Sequence, residues 1–194
     1  MGEENDPLTA IGKSQATALG IRWKDVHVDG LHSSPLKRAY DTAIKISEQN
    51  ESCPKIVTSG LFIERRTGED VNDLVKRGMF DEAGDLFIGV PRYMSGATPR
   101  DYRPPNGGES PNDVVNRARK GLKFLLHTYG KKSEEPPREF VDKVTNEDIN
   151  AIPEGIPHLV VVTHNIFLCE LYEAMLGWNS SYRMTTCNYS NTDW

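Results

Sequence analysis

The chain has 194 residues, 37% of them hydrophobic and 26% charged, which suits one globular domain and excludes both a disordered chain and two domains of typical size. Its 23 Lys and Arg residues against 28 Asp and Glu residues give a net charge of -5, so we expect neither nucleic acid nor an anionic membrane as a partner. Unbroken apolar runs such as residues 159–162 are far shorter than the roughly 20 residues that span a bilayer, which predicts no membrane-spanning segment.

The cysteines and the first residues bear on cellular location. Cys53, Cys169 and Cys187 are odd in number and widely spaced, which favours reduced thiols over a disulfide framework. Residues 1–6 are acidic and polar, unlike the basic and apolar start of a secretory signal peptide. We therefore expect a cytoplasmic protein, with the nucleus left open.

The first third of the chain alternates between helical and strand-like hydrophobic spacing. The predicted elements are a helix from Thr9 to Leu19 with Gly20 as its stop, a strand over 26–31, a helix from Pro35 to Asn50 and a strand over 55–58. A further short apolar strand, 61–63, is predicted to end at Glu64.

The pattern weakens over 67–105, where Gly, Pro and Arg residues and only short helical pieces predict a long functional loop or lid. Glu109 and Ser110 then begin the strongest helix, which ends at Gly130. Residues 131–156 are charged and rich in proline, and we expect them to form a surface insertion. A buried strand over 159–162 and a helix over 166–176 follow.

Strands that alternate with helices predict an α/β fold, in which helices cover both faces of one sheet. We expect a single domain over 1–194, with its ligand at the carboxyl ends of the strands. Two polar segments lie where strands are predicted to meet helices, residues 33–38 and 163–165. Both are helix N-termini, where unpaired N–H groups and the positive end of the helix dipole favour an anion.

Three residues are the first candidates for this anion site. Arg38 carries a planar fork suited to two phosphate oxygens, although it could also be a surface cation. His164 is either a ligand of the anion or a capping histidine at the strand end. Glu64 is either a carboxylate paired with its neighbours or a general acid held in a pocket.

Motifs with stricter spacing do not occur in the sequence. It contains no phosphate-binding G-x-x-x-x-G-K-[ST], no G-x-G-x-x-G, no G-x-S-x-G and no cysteine-phosphatase loop. His27, Asp29 and His32 are close in sequence, but on a strand His32 would face away from the other two. Solvated strand residues are therefore the preferred interpretation, and we predict no metal site.

Five short motifs occur in an order that resembles the histidine phosphatase superfamily, the phosphoglycerate mutase-like proteins. They are Asp6-Pro7-Leu8-Thr9 with Gly12, Gln15 and Ala16; Ser33-Ser34-Pro35-Leu36 with Arg38, Ala39 and Thr42; Ile63-Glu64-Arg65; Gly108-Glu109-Ser110 with Arg117; and Val161-Val162-Thr163-His164. The Glu-Arg-Arg stretch is most similar to the fructose-2,6-bisphosphatase and phosphoglycerate mutase branch.

The resemblance implies a three-layer α/β/α sandwich and phosphoryl transfer through a phosphohistidine. Arg38 would bind phosphate, His164 would steady the transferring phosphoryl group, and Glu64 would protonate the leaving oxygen. Arg and His would supply the positive charge, so no metal and no cofactor are implied. The partner would be a small phosphorylated substrate.

The substrate itself is not given by these motifs. A second phosphate, such as that of a sugar bisphosphate, could be bound by residues of the long loop or by the arginine after Glu64. The candidates are Arg65, Arg92, Tyr93, Arg100, Tyr102 and Arg103. The loop candidates could equally be solvated residues.

The sequence departs from the family pattern at three places. The family's first strand ends in Arg-His-Gly, which carries the nucleophile, and no such tripeptide occurs in the 194 residues. Asn165 follows His164, where the family usually has glycine. We expect the nucleophile-bearing first strand and the last strand to be missing from this chain, through an incomplete gene model or through natural loss.

These departures leave three kinds of function open. One is a phosphomonoesterase whose full-length form attacks the substrate phosphorus with an N-terminal histidine, this chain itself being inactive. Another is a phosphate-binding or regulatory module without turnover, with the 131–156 insertion recruiting a protein partner. The third is a scaffold within a larger complex.

Overall fold

The computed structural model describes residues 6–52, 54–90, 98–130 and 157–175. The surface insertion predicted over 131–156 lies outside the described residues, as do Arg92 and Tyr93 of the predicted loop, Cys53 and Cys187. No helix within the described ranges is long and apolar enough to cross a membrane.

The described sheet consists of three parallel strands in the order β2-β1-β3. They are β1 (Gly30–Ser33), β2 (Ile56–Thr58) and β3 (Leu159–Val162). Leu31 of β1 lies opposite Ile56 on one side and Val160 on the other. Because all three strands run in the same direction, their carboxyl ends meet at one edge of the sheet.

Six α-helices connect and flank these strands in the described part of the chain. They are α1 (Ala10–Arg22), α2 (Lys37–Gln49), α3 (Glu69–Lys76), α4 (Phe80–Ile88), α5 (Pro111–Tyr129) and α6 (Asn165–Met175). A 3-10 helix, Gly60–Phe62, follows β2.

Helices cover the sheet on both faces, which confirms the predicted three-layer α/β/α architecture. Leu31 and Val160 pack with Ala43 and Ile46 of α2 in one core cluster, and Leu19 of α1 contacts it. On the other face, Leu159 and Val161 contact a second cluster formed by Phe62 with residues of α5 and α6. Neighbouring residues of β3 thus face different layers, as the pleat of a strand requires.

The start of the chain differs from the sequence-based expectation in two places. Helix α1 continues past Gly20 to Arg22. Glycine is needed at this position for packing, because it is buried against α2 and a Cβ there would collide with the Lys45 carbonyl. The strand predicted over 26–31 begins only at Gly30. The side-chain amide of Asn50 binds the carbonyls of Trp23 and Val26, which holds the preceding residues in a turn.

One further prediction about the elements was wrong, and another holds in part, because the short helical pieces predicted within 67–105 are present as helices. No strand ends at Glu64: the 3-10 helix is capped by Ser59, and residues 63–68 continue without strand pairing. The predicted loop over 67–105 contains the helices α3 and α4. Glu69 and Asp70 lie in the first turn of α3, where their charge complements the helix dipole, and Gly89 ends α4 in the left-handed conformation.

Candidate functional site

A cavity of about 450 Å³ opens where the chain leaves the carboxyl ends of the strands. The first turn of α2 follows β1, the segment around Glu64 follows β2, and the start of α6 follows β3. The cavity is lined by Leu36, Arg38, Ile63, Glu64, Arg65, Arg66, Thr67, Gly68, Glu69, Asn72, Phe87, Asn106, Gly107 and Ile166. Its position agrees with the rule that parallel α/β sheets bind ligands at this edge.

Arg38 lies in the first turn of α2 and lines the cavity. Leu36 is the N-cap residue of α2 and provides no side-chain hydrogen bond; its own N–H is accepted by Ser34 Oγ at 3.2 Å. A cation in the first turn of a helix opposes the helix dipole. An anion bound beside Arg38 would relieve that conflict.

His164 follows β3 and is buried, with Nε2 2.9 Å from Ser34 Oγ. Burial, followed by the positive charges of Arg38 and Arg117, lowers the pKa of His164 to about 3. Its imidazole is therefore neutral near pH 7 when the cavity holds no anion. A phosphate dianion would offset the two guanidinium charges and favour protonation of His164.

The carboxylate of Glu64 accepts backbone hydrogen bonds at the start of α6. Oε1 accepts the N–H groups of Arg65 at 2.8 Å and Phe167 at 3.2 Å, and Oε2 accepts that of Ile166 at 3.2 Å. Glu64 thus caps α6 from a distant segment of the chain and lines the cavity at the same time. These hydrogen bonds anchor one carboxylate at the cavity wall.

Arg65 borders the cavity but is buried, with 4% of its surface exposed. Its guanidinium donates to the carbonyls of Glu109 at 2.7 Å and Phe87 at 3.3 Å, and its Cζ lies 4.3 Å from the centre of the Phe87 ring. These contacts are those of a residue that holds the cavity wall together. Its role toward substrate stays a prediction.

The structure does not bring the three described loop candidates to the cavity wall. Arg100 forms a bidentate ion pair with the buried Glu170, at 2.8 and 3.1 Å. Arg103 pairs with Asp113 at 2.6 and 2.7 Å, and this hydrogen bond lowers the pKa of the Asp113 carboxyl well below its usual range. Tyr102 donates its hydroxyl to the Leu86 carbonyl at 2.6 Å.

Arg66 is a cavity residue that the sequence did not single out. It is exposed, and its guanidinium has no hydrogen-bond or ion-pair partner within the described ranges. The sequence around Arg65 and Arg66 does not show which of the two arginines is buried. The groups that bind the Arg65 guanidinium belong to the distant residues Phe87 and Glu109. Only the three-dimensional contacts distinguish the engaged arginine from the available one.

Of the three residues considered as a metal cluster, His32 is separated from His27 and Asp29 in the structure. His27 and Asp29 form an exposed pair at 3.4 Å. His32 is buried among the rings of Phe62, Phe124 and Tyr129, and burial lowers its pKa. No group of three or more His, Cys, Asp or Glu side chains suited to a metal ion occurs in the described part of the chain.

The whole sequence matches one family. The profile of the histidine phosphatase superfamily, branch 1, matches residues 1–194. The fructose-2,6-bisphosphatase TIGAR B of Danio rerio is 30% identical over 169 residues, which cover 84% of this chain and 62% of that protein. The chain therefore spans less than two thirds of the length of this curated relative.

Solved structures share the fold at lower sequence identity. YhfR of Bacillus stearothermophilus superimposes with a TM-score of 0.60 at 21% identity, over 96% of this chain and 75% of that one. A mycobacterial glucosyl-3-phosphoglycerate phosphatase gives a TM-score of 0.58 at 21% identity, over 89% and 69%. A phosphoglycerate mutase of Bacillus anthracis gives 0.53 at 20% identity, over 92% and 71%.

Proposed function

Because the chain belongs to the histidine phosphatase superfamily, we propose that it is the core of a phosphatase that hydrolyses a phosphomonoester through a phosphohistidine. The observation that carries the proposal is the cavity lined by both Arg38 and Glu64, whose charged groups come from separate segments of the chain. His164 lies close enough for the Arg38 charge to lower its pKa. A phosphate binder, a phosphoryl-steadying histidine and a proton donor are the groups that such a reaction needs.

Residues of this chain can carry every step of the proposed reaction except the nucleophilic attack, for which the histidine would come from an Arg-His-Gly tripeptide that the 194 residues do not contain. A histidine nitrogen attacks phosphorus, the bond to the leaving oxygen breaks, and Glu64 gives that oxygen its proton. Water then attacks the phosphohistidine, Glu64 takes a proton from it, and inorganic phosphate leaves. Arg38 and His164 offset the charge on the phosphoryl oxygens throughout.

The size and lining of the cavity support a small organic phosphate as the substrate class. A volume of about 450 Å³ exceeds what a phosphate ion needs and falls in the range typical of small-molecule sites. Leu36, Ile63 and Ile166 add apolar surface. We propose a sugar bisphosphate as the substrate, in keeping with the Danio rerio relative, which is a fructose-2,6-bisphosphatase. The proposed location is cytoplasmic.

A phosphate-binding module without turnover is the second candidate. Glu64 favours it, because its carboxylate already accepts three backbone N–H groups and would have to release some of them to act on a substrate. In this case Arg38 and His164 would hold phosphate, and Glu64 would serve only as the cap of α6.

Phosphate binding tests the site in either case. Arg38→Ala should weaken the binding of phosphate or vanadate by about 1.5 to 3 kcal/mol, the range for a charged hydrogen bond, as measured by calorimetry. The neighbouring cation Lys37, which is exposed and pairs with Asp41, provides the control Lys37→Ala and should change little. Equal binding by Arg38→Ala and the unsubstituted chain would refute the site.

Turnover separates the two candidates. The 194 residues contain no Arg-His-Gly, so we propose that a polypeptide of these residues alone binds phosphate without hydrolysing esters. A longer form that supplies this tripeptide should hydrolyse phosphomonoesters. Glu64-dependent hydrolysis by the 194-residue polypeptide would contradict this assignment of the nucleophile, and a longer form without activity would favour the binding module.

A further inference from the structure

We propose that Arg117 and Glu109 are positioning residues that hold Glu64 in place for proton transfer, an inference that rests on the proposed role of Glu64 as proton donor. Glu64 lies on a segment that belongs to no sheet or α-helix, so the regular hydrogen bonds that usually fix a catalytic side chain are missing there. Other contacts must therefore fix the position of Glu64. The contacts of Arg117 do so.

The guanidinium of Arg117 uses all five of its N–H groups on this segment and on Glu109. Nη1 donates to the carbonyls of Leu61 at 3.2 Å and Ile63 at 2.6 Å, and Nη2 donates to the Glu64 carbonyl at 3.2 Å. The remaining two N–H groups bind the Glu109 carboxylate, from Nε at 3.1 Å and Nη2 at 2.6 Å. All five donors of Arg117 therefore already form hydrogen bonds within the protein, which makes Arg117 a poor ligand for a substrate phosphate.

Glu109 connects the same segment to the start of α5. Its carboxylate accepts the backbone N–H of Arg66 at 3.1 Å, and its carbonyl accepts from Arg65 Nε at 2.7 Å. The Glu109 backbone N–H donates to the Arg66 carbonyl at 3.0 Å. The chain is thus held on both sides of Glu64: Arg117 binds the carbonyls of residues 61 and 63 before it, and Glu109 binds residues 65 and 66 after it.

Arg117 also acts on the far end of the Glu64 side chain. Its Cζ lies 5.1 Å from the centre of the Phe167 ring, and the Phe167 N–H donates to Glu64 Oε1. Both ends of Glu64, its backbone carbonyl and its carboxylate, are therefore tied to groups that Arg117 contacts. Because α5 is a helix of 19 residues, a side chain fixed on it gives a rigid reference point.

Lysine at position 117 tests the inference, because it keeps the charge but offers three donors in place of the five-donor fork. The first measurement is the amide exchange rate of Ile166, whose N–H donates to Glu64 Oε2. Arg117→Lys should accelerate this exchange about tenfold, as Glu64→Gln should, and the double variant should be no faster than Glu64→Gln alone. Arg119→Lys, an exposed position on the same helix, is the control and should leave it unchanged.

The second measurement is kcat of a longer form that supplies the Arg-His-Gly tripeptide. Arg117→Lys should lower kcat about tenfold more for an alkyl phosphate than for p-nitrophenyl phosphate, because only the alkoxide needs a well-placed proton donor. The difference should disappear in the Glu64→Gln background. Arg119→Lys should leave kcat for both esters at the unsubstituted value.

The outcomes distinguish this inference from the proposed function. Additive effects of Arg117→Lys and Glu64→Gln on Ile166 exchange, or equal losses of kcat for both esters in Arg117→Lys, would overturn the positioning role. If Glu64→Gln itself affects both esters equally while its coupling to Arg117 in Ile166 exchange holds, Arg117 positions Glu64 and the proton-donor function is wrong.

Discussion

Arg66 is exposed on the cavity wall, whereas the arginines that the sequence analysis considered for a second phosphate form contacts with protein groups. Arg65 binds two carbonyls, Arg100 binds Glu170, and Arg103 binds Asp113. A second anionic group on the substrate could therefore bind Arg66 without displacing a protein partner among the described residues.

This argument leads to a prediction for Arg66→Gln. The substitution should raise the dissociation constant of a sugar bisphosphate about tenfold or more, because one charged hydrogen bond contributes about 1.5 to 3 kcal/mol. Binding of inorganic phosphate, which has no second anionic group, should change by less than about twofold. Calorimetry with both ligands measures the two effects.

Arg103→Gln serves as the comparison for Arg66→Gln. The sequence left the loop arginines equally open as ligands of a second phosphate or as solvated residues, and the ion pair of Arg103 with Asp113 argues against the first role. If Arg103→Gln weakens bisphosphate binding selectively and Arg66→Gln does not, the loop recognises the second phosphate.

At the scale of elements, α5 anchors the candidate site through a well-defined N-terminus. Ser110 Oγ accepts the Asp113 N–H at 3.1 Å, and the Asp113 carboxylate accepts the Ser110 N–H at 2.9 Å, which forms a capping box with Pro111 as the first helical residue. The cap fixes the start of the helix that carries Arg117. It also lies directly after Glu109, the partner of that arginine.

We predict that Ser110→Ala lowers the free energy of unfolding by about 1 kcal/mol, the usual cost of losing an N-cap side chain. Urea denaturation followed by circular dichroism measures the change. Ser14→Ala, at an exposed position within α1, is the control and should not lower the stability, since alanine is the better helix former. A Ser110→Ala protein as stable as the unsubstituted one would show that the capping box contributes nothing to the fold.

At the scale of the whole molecule, two buried histidines make the stability depend on pH. Burial lowers the pKa of His32, and burial with the charges of Arg38 and Arg117 lowers that of His164 to about 3. In the unfolded chain both would titrate near 6.5. Above about pH 6.5 both histidines are neutral in the folded and the unfolded chain. As the pH falls below 6.5 toward the lower folded-state pKa values, the unfolded chain binds protons first, and the free energy of unfolding decreases.

We predict that the free energy of unfolding falls between pH 6.5 and pH 4.5, by up to about 1.4 kcal/mol per pH unit through His164, and that the lowered pKa of His32 acts in the same direction. His164→Gln should reduce this slope, because it removes one of the titrating groups. His127→Gln, at an exposed position on α5, should leave the slope unchanged. The measurement is urea denaturation at several pH values, and a slope unaffected by His164→Gln would contradict the burial of that imidazole in its neutral form.

The sequence by itself determined most regular elements and the α/β class, because hydrophobic periodicity and helix caps are local properties. The family and its three-layer architecture followed from the resemblance of five short motifs. Helices α2 and α5 and strands β2 and β3 lie within one or two residues of their predicted bounds. Arg38, Glu64 and His164 were predicted as site residues because each lies in a short motif that resembles the family, and their roles stay predictions.

The tertiary structure alone decided which charged groups are available to a ligand. Arg100 and Glu170 are 70 residues apart in sequence, and Arg65 and Glu109 are 44 apart. It also decided that Gly20 serves the crossing of α1 and α2 instead of ending a helix. Such contacts depend on how distant elements pack, and local sequence preferences carry no information about that packing.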